Sequence, residues 1–420
     1  MCHSLVGSEM CIRDRLNVKV ERGPEELKDL PQHFGHAAKK TDLSRYSTAI
    51  FGEIVDAPNM TVEQIITTAE RYRKDGANVI DLGCLPNTPF AHLAETVQAL
   101  KAAGFKVSVD SLLPEDLVTG GRAGADFLLS LQHQSLWVLE KVDATPIIIG
   151  TPPTSLRSLY RTIEILLREG VRFIADPILD PINFNFTESI VRYRNLRNRY
   201  PDIEIMMGVG NLTELTHVDS AGTNTILMGI ISELGIQHIL ATEVSEHCRK
   251  SIKEADLARR IMYASSADNI PPKGYDNGLM ALHERKPFPY TEQEIREFAK
   301  DVRDPNFRIQ VCEEGVFIYN RDGIWNATDP FDHYPNLNVF EDGGHAFYLG
   351  VELARAQIAW QLGKRYEQDE ELCWGIAVER ASQDLTSFKQ EGSTMPTRED
   401  RKKKRRKNAK KDPKKDARRC

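Results

Sequence analysis

The sequence contains no run of about 18 apolar residues, which excludes a membrane-spanning helix of ordinary length. Its seven cysteines, Cys2, Cys11, Cys84, Cys248, Cys312, Cys373 and Cys420, never fall at CxxC spacing. That scatter argues against a zinc ribbon or a disulfide framework and suits a reducing cytoplasm. No convergent set of histidines marks a zinc or iron site. The turn after the first apolar strand run reads DAPNMT (56–61), so the glycine-rich fingerprint of dinucleotide binding is missing. What remains, 41% hydrophobic and 28% charged residues, is the composition of a globular protein. A length of 420 residues predicts one large domain and a smaller one.

Charge is unevenly spread. The formal net charge is −6, yet 13 of the 55 Lys and Arg lie in residues 401–419, opposed there only by Asp412 and Asp416. The remaining chain carries 42 basic and 59 acidic side chains, a net −17. Residues 391–420 read as a solvated, disordered basic tail. A body this acidic is not a nucleic-acid reader, so nucleic acid would engage the chain only through that tail. At the other end, residues 5–15 (LVGSEMCIRDR) resemble the in-frame translation of a sequencing-library transposase adapter. Glu9, Arg13, Asp14 and Arg15 leave no apolar core for a leader peptide. Residues 1–15 are therefore expected to be an artefact. Residues 16–46 are expected to be the remnant of a truncated N-terminal domain.

From residue 47 the chain alternates β-branched runs with amphipathic stretches. Strands are predicted at 49–55, 78–84, 106–111, 127–132, 146–151, 172–179, 204–211 and 238–244. Helices are predicted near 61–75, 91–104, 114–123, 134–142, 154–170, 187–199, 222–235 and 249–265. The strand runs are almost continuously apolar, as in a parallel sheet buried on both faces. Eight strand–helix units in about 220 residues predict an α/β fold, a (β/α)8 TIM barrel over 47–266. A doubly wound open sheet is the competitor, weakened by the absent fingerprint. Residues 267–305 read as a linker with one helix near 291–301. Residues 306–390 are predicted to be a small C-terminal α+β domain, with a hairpin in 307–327 and a periodic helix over 345–366.

The interior of such a barrel is packed solid, so chemistry belongs to polar residues at the strand C-termini. Those positions offer Glu53, Asp56 and Asn59; Asp81 and Asn87; Asp110 and Ser111; Ser130, Gln132 and His133; Asp176, Asn183 and Asn185; Gly208 to Asn211; and Thr242, Glu243 and Glu246. Acidic groups dominate. Asp81, Asp110 and Asp176 interrupt apolar strands, and burying a lone carboxylate is costly without donors or a ligand. A flat heterocycle presenting paired N–H groups would satisfy them. A cation is the rival reading of the same carboxylates: with no histidines converging, Mg2+ remains the metal this set would take.

GANVIDLG (76–83), VSVDS (107–111), IADP (174–177) and MGVGN (207–211) together resemble the pterin-binding superfamily. That superfamily joins dihydropteroate synthases to methyltetrahydrofolate–corrinoid methyltransferases. Within it the chain resembles the dihydropteroate synthase-related group of archaea and methylotrophic bacteria, whose N-terminal domain ends in a segment like GPEELKDLP (23–31). The resemblance implies that Asp176 pairs with the pterin amino-pyrimidine edge. It implies that Asp110 bonds the ring or orders the pocket, and that Asp81 sits near the C6 substituent. Ser130 and Gly208 would line the pterin pocket. Asn211 and Glu53 match the methyltransferase branch, where the Asn contacts N5. Departures also stand out. Gly210-Asn211-Leu212-Thr213 replaces the Ser-Arg-Lys-Ser of the synthases, and Leu240 and Thr242 stand where an Arg and a His hold diphosphate. Arg249 and Lys250 are the nearest replacement cations for a phosphate.

Three functions follow from this resemblance. The first is a transferase of folate or tetrahydromethanopterin-type biosynthesis, joining a dihydropterin methyl diphosphate to an arylamine. The second is a methyltetrahydropterin–corrinoid methyltransferase, whose corrinoid module a partner would supply. The third is a non-catalytic pterin-binding protein. Pterin would enter as substrate and not as a tightly bound cofactor, and the family resemblance admits a homodimer. In the C-terminal unit His345 and Glu352 share a helix face at seven-residue spacing. His217 is the remaining acid–base candidate.

Overall fold

The computed structural model describes residues 34–35, 42–85 and 88–379. The two terminal segments singled out above, and Asn87, lie outside those residues. The chain divides into two compact units, one spanning 40–279 and the other drawing on 280–379 of the described residues.

The first unit is a closed barrel of eight parallel strands in sequence order. They are β1 (Ala49–Ile54), β2 (Val79–Gly83), β3 (Val107–Asp110), β4 (Phe127–Leu131), β5 (Thr145–Ile148), β6 (Ile174–Ala175), β7 (Glu204–Gly208) and β8 (His238–Thr242). Around them run α1 (Val62–Lys74), α2 (Leu93–Ala102), α3 (Pro114–Arg122), α4 (Leu156–Glu169), α5 (Phe186–Arg199), α6 (Gly210–Thr213), α7 (Ser220–Glu233) and α8 (Ser251–Asp268). This is a TIM barrel. Between β4 and β5 the predicted α-helix is a 3-10 segment, His133–Glu140.

Most outer helices return to the sheet through one device. Gly76, Gly104, Gly124, Gly170 and Gly235 all have positive φ. The residue after each donates its N–H to a carbonyl five residues back: Ala77 to Tyr72, Phe105 to Leu100, Ala125 to Gly120, Val171 to Leu166 and Ile236 to Ile231. This satisfies the last helical carbonyls and turns the chain into the next strand. Gly76 is sterically required as well, because a Cβ there would lie 2.5 Å from Cγ of Asp256.

Because side chains alternate along a strand, the barrel sorts its residues into two cores. Ile50, Ile80, Leu82, Val107, Val109 and Leu128 face outward, onto helix residues such as Leu93, Leu100, Leu159 and Ile163. Phe51, Val79, Leu129, Ile147, Ile174 and Met206 face inward and, with Phe127 and Leu240, close the interior. Fully burying side chains of this size stabilises by roughly 1.5–3 kcal/mol each. The closure between β8 and β1 is reinforced by Arg259 of α8. Its Nη1 donates to Thr48 O at 2.5 Å and Asn78 Oδ1 at 2.6 Å, its Nη2 donates to Gly76 O, and its guanidinium lies 3.7 Å from the Tyr46 ring centroid.

The second unit holds a three-stranded antiparallel sheet, with β10 (Gly315–Asn320) between β9 (Arg308–Cys312) and β11 (Gly323–Ala327). The predicted hairpin thus gains a third strand beyond the turn at Arg321. Ile309, Val311, Val316 and Ile318 pack on α11 (Gly343–Leu362) through Leu349, Leu353 and Ala356. The opposite face, Cys312, Phe317 and Tyr319, packs on Ile295 of α9 (Glu292–Asp301). The helix predicted to lie in a linker therefore covers one face of this sheet. A short helix, α10 (Pro330–His333), precedes α11.

Candidate active site

The site follows from the parity of the strands. Two residues beyond the inward apolar layer, the same face carries Glu53 on β1, Asp81 on β2, Asp176 after β6, Gly208 on β7 and Thr242 on β8. On β3 the inward position level with Leu129 is Asp110. Glu53 pairs in register with Asp81 and also with Thr242. Asp81 pairs with Ser108, two residues before Asp110. The apolar floor is thus capped by a layer containing four carboxylates.

Three of these converge: one ligand oxygen from each of Glu53, Asp81 and Asp110 lies within 4.8 Å of the other two. Asp81 is fully buried; neither its carboxyl oxygens nor the buried Oγ of Ser108 makes a well-formed hydrogen bond, although the Ser108 hydroxyl lies close enough to Asp81 to favour its charged form. Burial, then the charges of Asp81 and Glu214, pushes Glu53 up to about 8. Burial pushes Asp81 up to about 7, with Ser108 pulling the other way. Asp110 is raised well above the carboxylate range, by burial first and then by Asp81, Glu53 and Asp176. Room for the Glu53 carboxylate comes from Gly83, where a Cβ would stand 3.0 Å from Glu53 Oε1.

Asp176 has different surroundings. It is 8% exposed, and its Oδ1 accepts from Ile178 N at 2.7 Å and from Tyr193 Oη at 2.8 Å. None of the described residues donates to its Oδ2. Burial raises it to about 6, against the pull of Tyr193, the Ile178 amide and Arg192. The turn that follows is strained. Ile178 is β-branched and has a φ of +64°. Arg192 clamps this turn, donating to Pro177 O, to Ile178 O at 2.7 Å and to Asp180 Oδ2 at 2.8 Å.

Other candidates lie around this layer. Asn211 is exposed in α6, and its Nδ2 donates to Leu179 O at 2.7 Å, tying the β7 loop to the β6 loop. Gly208 is half-buried, and a Cβ there would enter open space. Ser130 is half-buried where the pairing of β4 with β5 shifts register. Arg249 and Lys250 precede α8; Arg249 is exposed. Asp56 and Asn59 are exposed and line a cleft against Glu63 and Gln64 of α1. Ser111 accepts from Leu113 N and donates to Asp116 at the start of α3. Glu243 pairs with Arg71 and accepts from Ile252 N at 3.1 Å, at the start of α8. His217 is exposed and stacks edge-on with His247 at 5.5 Å. In the second unit Glu352 is held by Tyr366 Oη, Asp369 N and Arg355, while His345 stacks on Tyr348.

Sequence reasoning missed Glu214. It accepts from Thr242 Oγ1 at 3.0 Å, from Val244 N at 2.9 Å and from Ser245 N at 2.9 Å. Burial alone would raise it, but these donors hold it below the ordinary carboxylate range. Its only sequence signal is its place one turn beyond Gly210. The end of β8 is therefore acidic, with Leu240 packed against the floor and Thr242 bonded to a carboxylate.

No protein-family model matches the chain. An uncharacterized protein of Methanocaldococcus jannaschii is 29% identical, with 78% of this chain and 70% of that protein covered. Among solved structures, the Yersinia pestis dihydropteroate synthase with a sulfonamide drug covers 54% of this chain and 96% of its own, at 17% identity and a TM-score of 0.40. The 7,8-dihydropteroate synthase of Vibrio fischeri covers 55% and 96%, at 14% identity and a TM-score of 0.41. The Thermus thermophilus enzyme in complex with 4-aminobenzoate covers 53% and 95%, at 16% identity and a TM-score of 0.39. At such similarity the strand pairing, and not these likenesses, fixes the fold. No helix among the described residues is long and apolar enough to cross a membrane.

Proposed function

We propose that the barrel mouth binds a pterin and that the protein is a dihydropteroate synthase-like transferase, joining a dihydropterin methyl diphosphate to an arylamine. One observation carries this reading. Carboxylates from β1, β2, β3 and the end of β6 share one inward layer above an apolar floor. A flat ring can lie on that floor with its polar edge against the carboxylates. Asp176, its Oδ1 fixed by two donors, offers Oδ2 to the paired N–H groups of an amino-pyrimidine edge.

The chemistry suits such a layer. As the C–O bond to diphosphate breaks, positive charge develops at the pterin methylene; it draws the burial-raised carboxyls of Glu53, Asp81 and Asp110 towards ionisation, and their oxygens oppose that charge. The arylamine nitrogen then forms the C–N bond and releases its proton. Diphosphate leaves as the anion.

The ends of β7 and β8 support a second reading. Asn211 and the Glu214-bound Thr242 bring no cation to where a diphosphate would depart. A methyltetrahydropterin–corrinoid methyltransferase needs none, because its leaving group is the pterin nitrogen, protonated as the methyl transfers.

Pterin binding is measured first, by fluorescence or calorimetry, on wild type and on Asp176→Asn and Asp110→Asn. Unchanged affinity in both variants overturns the site. Diphosphate release with p-aminobenzoate or a ribofuranosyl-aminobenzene phosphate supports the transferase. Methyl transfer to free cob(I)alamin supports the second reading. Tight binding without either turnover makes the protein a pterin carrier.

A further inference from the structure

We propose that Glu53, Asp81 and Asp110 bind one hard divalent cation, of the Mg2+, Mn2+ or Ca2+ class, at the base of the barrel mouth. The geometry comes first. The three carboxylates stand on adjacent strands, and their ligand oxygens lie within 4.8 Å of one another. Opposite ligands of a six-coordinate Mg2+ are about 4.2 Å apart, and those of Ca2+ about 4.8 Å. Among the described residues no other group of three His, Cys, Asp or Glu meets this criterion.

A second observation is independent of the cluster. Ser108 is 0% exposed, and its Oγ lies near Asp81 but makes no well-formed hydrogen bond. It is the register partner of Asp81 and lies two residues before Asp110, so it faces inward with them. Both oxygens of the fully buried Asp81 likewise make no well-formed hydrogen bond. Buried polar atoms are almost always satisfied, and an unpaired buried carboxylate is among the costliest exceptions. The described residues bring it no Lys, Arg or backbone N–H.

The donor set decides the kind of ion. It consists of carboxylate and hydroxyl oxygens with no imidazole or thiolate, which selects hard cations over zinc or copper. A divalent ion bound by three carboxylates leaves the site net negative, so an electronegative mouth persists. Asp176, supplied with its own donors, stands outside the set. The inference rests on this geometry and not on the pterin reading.

The test uses the full chain, freed of metal with EDTA and titrated with MnCl2 in the absence of pterin. Calorimetry, with free Mn2+ followed by EPR, should show one ion per chain, and the thermal midpoint should rise with Mn2+ concentration. Asp81→Asn and Glu53→Gln should each weaken Mn2+ binding roughly tenfold or more. Asp176→Asn, which removes a neighbouring charge but no proposed ligand, should weaken it far less than either of these. Circular dichroism confirms that each protein is folded; where Asp81→Asn is not, Glu53→Gln carries the comparison. The proposal is overturned if folded wild type takes up no stoichiometric Mn2+ at millimolar concentration, or if folded Asp81→Asn or Glu53→Gln binds Mn2+ as wild type does. Failure here leaves pterin binding untouched, and failure of pterin binding leaves this result untouched.

Discussion

Tyr193, in the middle of α5, donates its hydroxyl to Oδ1 of Asp176 at 2.8 Å, and both residues are buried. The bond reaches from an outer helix to the inward layer of the barrel. It fixes the plane of the carboxylate and so decides which oxygen faces the mouth. Burial and the Asp176 charge in turn hold the Tyr193 hydroxyl far above its usual pKa, so it remains a donor at every physiological pH.

Tyr193→Phe keeps the ring and removes the bond. We expect a loss of about 1–2 kcal/mol in unfolding free energy by urea titration. Pterin affinity should fall with it, while the barrel's far-UV spectrum stays unchanged. An unaltered affinity would show that Asp176 needs no such anchor.

The pH dependence of pterin binding follows from Asp176. Burial raises it to about 6, and only the ionised form accepts two N–H bonds. The Asp176 contribution to affinity should therefore fall roughly tenfold per unit below about pH 6. The stability linkage has the opposite sense. A raised carboxyl favours the fold most at low pH, and this contribution is lost as pH climbs from the unfolded value of 3.8 to about 6. Asp176→Asn should flatten both profiles.

Two positive-φ glycines at helix ends separate backbone strain from steric clash. Gly104 has φ +80° with open space where a methyl group would stand, whereas at Gly76, φ +112°, a methyl would strike Asp256. Gly104→Ala should cost about 1–2 kcal/mol, the left-handed penalty alone. Gly76→Ala should cost clearly more, because Asp256 is also the partner of Arg259 and Arg260. Equal losses in parallel denaturation curves would mean that Asp256 moves aside freely.

Arg259→Met removes the donors to Thr48 O, Asn78 Oδ1 and Gly76 O at the closure of β1 with β8. Losing one partner of a buried charged network costs about 3–5 kcal/mol. Arg260 still pairs with Asp256, so the lower end is expected. A change below about 1 kcal/mol, the worth of one typical hydrogen bond, would show that the closure does not depend on this side chain.

Much of this protein is legible in its sequence. Alternating apolar runs and amphipathic stretches have only a few ways to bury their faces, and eight repeats close into a barrel. Asp81, Asp110 and Asp176 stand out because each interrupts a run that burial would otherwise keep apolar. The third strand of the small sheet, GIWNA, was not legible: as an edge strand it is only partly buried and carries little apolar signal. Nor was the segment 133–140, whose apolar spacing fits an α-helix although the chain forms a 3-10 turn.

The tertiary structure alone decided which polar residues meet. Strand parity sends Glu53 inward and leaves Asp56, three residues later, in solvent. Register brings Glu53 beside Asp81, and Ser108 beside Asp81 on its other side. Tyr193 and Arg192 reach the end of β6 from a helix that follows it, and Glu214 reaches the end of β8 from the loop after β7. Local composition fixes what a segment will bury. Which side chains share a cavity depends on contacts between distant segments, and these exist only once the barrel has closed.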